Sequence, residues 1–175
     1  MNSEQISPQA FKILENVVFL KKTALFSAMR THDLRAVASI AEELTYEAGD
    51  LIVRENDVGD SLYLIKEGRV KISKKVKDAD PVALAELGIG DCFGDMAVFD
   101  AELRSASANA KDHCILLKIN GDDLIDVIVD CPYIAIEFLK MFVKRLRKAN
   151  VSIEELTATA HALRDRPVTS DTTML

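Results

Sequence analysis

The spacing of apolar residues along the chain changes period twice. From Pro8 to Lys22 the residues Phe11, Leu14, Val17, Val18 and Phe19 fall near helical spacing, and Ser7 ahead of Pro8 supplies an N-cap with proline at the first helical position. Thr31 is placed to cap a second helix, from His32 to about Ile40, that buries Leu34, Val37 and Ile40. The texture then changes. LTYEAGDLIVRENDVGDSLYLIKEGRVKISKKV alternates β-branched and aromatic residues with polar ones, and turn pairs punctuate it at Gly49, Gly59 and Gly68. PVALAEL, SASANA and HCILLKI add three more strands. Turn signals every 8 to 12 residues or so, with no long helix between them, predict an antiparallel sandwich or small barrel.

Beyond Asn120 the helical period returns. Asn120, Asp122 and Asp123 mark a helix start ahead of Leu124, Ile125 and Ile128, where acids favour the positive end of the dipole. Pro132 opens a longer helix whose stripe runs through Ile134, Phe138, Met141, Phe142, Leu146, Ala149, Ile153 and Leu156. The predicted organisation is an N-terminal helical segment at 1–40, a β core at 41–119, C-terminal helices at 120–162 and a flexible tail at 163–175. The fold class is mainly β with flanking helices (α+β): an antiparallel β-roll or jelly-roll barrel.

Composition narrows the partners. Of 175 residues, 49% are hydrophobic and 29% charged, an ordinary balance for a globular domain. With 22 Lys and Arg against 28 Asp and Glu, the net charge of −6 repels a nucleic-acid backbone, so no nucleic-acid partner is expected. The apolar run Val17 to Leu20 is too short for a membrane span, and no basic segment precedes it as in a signal peptide. The three cysteines, Cys92, Cys114 and Cys131, show no C-x-x-C spacing and read as small buried hydrophobes in a reducing, cytoplasmic setting. His32, His113 and His161 lie far apart, without the spaced partners that a metal or catalytic role requires.

Chemistry concentrates in GIGDCFGDMAVFDAELRSASA, residues 88–108, which holds three of the seven glycines. Gly88, Gly90 and Gly94 do not form the dinucleotide fingerprint, and the lysine and hydroxyl residue that end a Walker loop are absent. Gly94 lets a backbone approach a ligand closely, and Asp95, Met96, Ala97, Val98 and Phe99 read as one helical turn whose free N–H groups favour an anion. Arg104 follows as a permanent cation whose fork matches two oxygens, and Ser105 adds a hydroxyl donor. Taken singly these are ordinary turn, cap and surface residues. Their order inside a small β domain points to a phosphate.

FGDMAVFDAELRSASA resembles the phosphate-binding cassette of cyclic nucleotide-binding domains, and the resemblance extends over roughly residues 15–155. It implies a β-roll around a nucleoside 3′,5′-cyclic monophosphate, usually cAMP, with a short phosphate-binding helix and a long C-terminal helix. By position, Gly94 and the N–H groups of Asp95, Met96 and Ala97 would meet the phosphate, with Phe93 just before them. Arg104 would pair with the exocyclic oxygen and Ser105 would donate to it. Ile72 and Leu84 match positions that line the purine pocket. Asp95 stands where the family carries a glutamate that holds the ribose 2′-OH. Losing that bond would weaken binding about tenfold to a hundredfold. On the long helix, Asn150 takes a position that faces the base, and Ser105 serves cAMP or cGMP alike.

The function implied is a non-catalytic cyclic nucleotide sensor or regulatory domain. The nucleotide acts as ligand rather than cofactor and biases the C-terminal helix, which signals to an effector protein that the sequence does not identify. The alternative is a degenerate member of the fold that serves as a structural or protein-interaction module without ligand. The apolar stripe of the long helix is a candidate for pairing two chains. The short unpatterned remainder after it is not expected to hold a DNA-reading helix-turn-helix, so the chain reads either as a sensor whose effector is another protein or as a fragment of a longer chain.

Overall fold

The computed structural model describes residues 7–77, 79–100 and 102–164. The first helix, α1, spans Pro8–Lys22, and the Ser7 hydroxyl accepts from the N–H of Ala10 at 3.2 Å, as its position before proline predicts. The second, α2, spans Thr31–Ser39 and places Arg30, not Thr31, at the N-cap, with no side-chain cap bond. Arg30 instead closes the first turn through its guanidinium, which donates to both carboxylate oxygens of Asp33 at 2.9 and 3.2 Å. Leu20, Phe26, Leu34 and Val37 are fully buried beneath these helices.

Eight strands follow: β1 Ala41–Tyr46, β2 Leu51–Val53, β3 Ser61–Glu67, β4 Val70–Val76, β5 Ala79–Leu87, β6 Cys92–Phe93, β7 Ser107–Ala110 and β8 Cys114–Asn120. They form two four-stranded sheets ordered β1-β8-β3-β6 and β2-β7-β4-β5, with antiparallel neighbours throughout. The roll is therefore a two-sheet sandwich and not the closed barrel included in the sequence expectation. Closure demands continuous edge pairing around the ring. Here β6 has only two residues, and among the described residues neither sheet is ladder-bonded to the other.

The inner faces meet in a cluster of Tyr63, Ile65, Val70, Phe93, Ala108, Ala110, Cys114 and Leu116, against which Ile72 and other half-buried apolar side chains pack. Alternation on β7 shows the sorting: Ala108 and Ala110 are buried, while Ser107 and Asn109 lie on the other face. The N-terminal helices are tied to the roll by Glu43 on β1. Its carboxylate takes the ammonium groups of Lys66 and of Lys12, the latter at 3.4 Å, and Lys66 also donates to Asn16 of α1 at 3.3 Å.

Between the last strands lies α3, Asp95–Asp100, and after them α4, Gly121–Asp130, and α5, Tyr133–Arg164. Asn120 caps α4, its side-chain oxygen accepting from the N–H of Asp122 at 2.9 Å. The chain divides into two compact units that part between Glu137 and Phe138, so α4 belongs with the roll. Within the second unit the rings of Phe138 and Phe142 lie 6.3 Å apart. From residue 165 onward the expected tail lies outside the described residues.

Candidate functional site

Gly94 links β6 to α3 with φ +80, a conformation in which a β-carbon is strained. Space excludes one as well: a Cβ here would sit 2.5 Å from Nη1 of Arg104 and 2.7 Å from the carbonyl oxygen of Ser61. Glycine is needed because backbone and guanidinium converge on this point.

Arg104 is held from both sides of its own backbone. Its N–H donates to Asp57 at 2.8 Å and its carbonyl accepts from Asn56 at 2.9 Å, so the loop after β2 clamps it. The adjoining bridge between Val58 and Leu103 extends that clamp. The side chain turns inward until the residue is 5% exposed. There Nη1 donates to the Gly94 carbonyl at 3.0 Å, and the guanidinium carbon lies 5.8 Å from the centroid of the Tyr63 ring. Tyr63 in turn stacks on Phe93, with centroids 5.1 Å apart and planes 8° from parallel. The distance from guanidinium to Tyr63 lies within the range of a cation–π contact.

The cation marks its surroundings electrostatically. Burial raises the Tyr63 phenol above its ordinary pKa, and Arg104 acts against that rise. Asp60 is shifted down, chiefly because the Ser61 hydroxyl donates to it at 2.6 Å, with the charges of Lys118 and Arg104 assisting.

The structure brings Gly94 and Arg104 into direct contact, stacks Phe93 on the Tyr63 ring that lies under the guanidinium, and sets Asp95, 2% exposed, at the first residue of α3. Ile72 is half-buried on the inner wall beside the cluster that holds Phe93. Met96 and Ala97 follow Asp95 on α3, with Met96 exposed, and Ser105 is exposed just after Arg104. Asn150 is an exposed residue of α5 in the second unit.

Leu84 departs from its expected place on the pocket wall. Ile72 pairs with Ala85 and Ser73 with Ala83, so Leu84 is the extra residue of a β-bulge and is 56% exposed. Two residues of the site escape sequence reasoning, Tyr63 beneath the guanidinium and Ser61 beside Gly94. The strand that carries them is buried at five successive positions, so no alternation marks which side chain faces the arginine.

A family model for the cyclic nucleotide-binding domain matches residues 43–131. The chain belongs to that family. A CRP-like cAMP-activated global transcriptional regulator of Mycobacterium tuberculosis is 27% identical over 140 residues, 80% of this chain and 62% of the relative. A cGMP-dependent protein kinase of Drosophila melanogaster is 33% identical over 90 residues, 51% of this chain and 10% of the kinase. The crystal structure of the Thermus thermophilus catabolite activator protein superposes with a TM-score of 0.72 at 29% identity, covering 77% of this chain and 63% of that one. The chain thus spans less than two thirds of the length of each. Since the mycobacterial protein is a transcriptional regulator, the expectation of no nucleic-acid partner speaks only to the net charge of this chain. Among the described residues no helix is long and apolar enough to cross a membrane.

Proposed function

We propose that this domain binds a nucleoside 3′,5′-cyclic monophosphate reversibly, cAMP in preference, and transmits its occupancy without making or breaking bonds. The observation that carries the proposal is Arg104, a buried guanidinium fixed next to Gly94 at the start of α3. A cation in an apolar interior is stabilised by a partner anion, and a cyclic phosphate supplies one charge and two exocyclic oxygens for the fork. The N–H groups that follow Gly94 and the Ser105 hydroxyl add donors, and Ile72 offers an apolar wall to the base. The names of the relatives, one cAMP-activated and one cGMP-dependent, support the ligand class.

Calorimetric titration with cAMP and cGMP tests this. Wild type binds at micromolar or tighter concentrations, and Arg104→Ala weakens binding by about tenfold to a hundredfold, the worth of a hydrogen bond to a charged group. Equal affinities for the two proteins overturn the site. The nucleotide is recovered unchanged after prolonged incubation; its hydrolysis would make the domain an enzyme. A second reading, an interaction module without ligand, is favoured by Asp95, whose carboxylate is one methylene shorter than the glutamate of the family pattern. A folded protein that takes up neither nucleotide selects it.

The long helix is proposed to pair two copies of the chain. Leu139, Leu146 and Ile153 are spaced by seven and lie 60–63% exposed, with Val143 and Asn150 between them at the alternate heptad positions. Val at one such position and Leu at the other favour two strands, and a single Asn among them sets register. The effector protein stays unspecified.

A further inference from the structure

The outer face of the β2-β7-β4-β5 sheet carries a cavity that cyclic nucleotide binding does not use. It measures about 210 Å³ and opens between Arg54, which follows β2, Ser73 and Lys75 of β4, and Ser107 and Asn109 of β7, with Leu51 and Pro81 as apolar walls. Ser107 and Asn109 are the residues of β7 that alternate with Ala108 and Ala110 of the inner cluster. The cavity therefore lies on the opposite side of the sheet from that cluster.

Its chemistry is one-sided. Among the described residues no acid stands within ion-pair distance of Arg54 or Lys75. The adjoining Glu55 carboxylate accepts instead from the backbone N–H of Lys75 at 2.8 Å. The Glu55 N–H donates to the Ser107 hydroxyl at 3.0 Å, which leaves the hydroxyl hydrogen for another acceptor. Two cations, two hydroxyls and one amide form a donor-rich lining in a chain whose net charge is −6, so a general excess of base does not account for it. A carboxylate brings one charge and two oxygens to such a site. A phosphate monoester brings a charge of about −1.5 to −2 and three strong acceptor oxygens at neutral pH, which matches the two cations and the remaining donors.

We infer that this cavity is a binding site for a phosphate dianion, present either as free inorganic phosphate or as a phosphorylated side chain of a partner protein. The test is a proton–nitrogen NMR titration at constant ionic strength, following the backbone amides of Ser73, Ser107 and Asn109. The probes are inorganic phosphate, a short phosphoserine peptide and N-acetylglutamate. Saturable shifts with both phosphates are expected, along with at least a tenfold loss of affinity in the double variant Arg54→Gln, Lys75→Gln. Both substituted side chains are exposed, and an unaltered spectrum elsewhere confirms that the variant is folded. Tighter binding of the peptide assigns the site to a modified partner, and equal binding assigns it to the free anion. Shifts that do not saturate, that glutamate reproduces, or that survive in the double variant overturn the inference.

Discussion

Nη1 of Arg104 donates to the carbonyl oxygen of Gly94 at 3.0 Å, joining two residues ten positions apart in the sequence. The contact makes the short helix α3 and the arginine a single unit, since neither end can move without breaking a charge-assisted bond. The guanidinium is thus held in place by its own chain, which lowers the ordering cost of meeting an anion.

Gly94→Ala breaks that unit twice over, by strain at φ +80 and by collision with the Ser61 carbonyl, which belongs to a paired strand and cannot retreat. A loss of about 1 to 3 kcal/mol is expected. At roughly 2 to 4 °C per kcal/mol for a chain of this size, thermal unfolding midpoints fall by several degrees. Nucleotide affinity falls in the same variant, measured at a temperature where it remains folded.

Arg104→Lys keeps the charge but removes the planar fork that meets the Gly94 carbonyl. Cyclic nucleotide affinity is expected to fall nearly as far as in Arg104→Ala. Recovery to the wild-type value in the titration would show that charge alone suffices.

The Glu43 cluster gives a pH dependence. The Lys66 ammonium, and more weakly that of Lys12, hold the Glu43 carboxyl below its ordinary range, against an opposing effect of partial burial. A depressed folded-state pKa means that the unfolded chain takes up the proton first. The contribution is therefore complete above the ordinary glutamate value near 4.3 and disappears as pH falls through the lower folded value. Urea midpoints recorded from pH 7 to pH 3 should show a smaller acid loss in Glu43→Gln than in wild type.

Leu146, 63% exposed at the middle of the heptad seam, is the sensitive position for chain pairing. Light scattering is expected to give twice the 19.3 kDa of one chain for wild type, and one chain for Leu146→Glu. A wild-type mass of a single chain defeats the pairing.

What could be read in the sequence is what neighbouring residues settle among themselves. The proline and serine that open α1, the asparagine that caps α4, the turn glycines that separate the strands and the change of period at either end of the roll all act within a few residues. Each is found where local chemistry puts it. That Gly94 and Arg104 belong to one local unit was legible for a similar reason, as the residue types and their order sit in one short stretch.

The tertiary structure decided everything that depends on pairing between distant segments. Only the register of β4 against β5 turns Leu84 into a bulge and away from the inner wall. Only the packing of β3 brings Tyr63 under the guanidinium, and only the shortness of β6 leaves two sheets in place of a barrel. A strand buried on both faces carries no period, and a bulge is a compromise among ladders formed by residues far apart in the chain, so neither leaves a local mark.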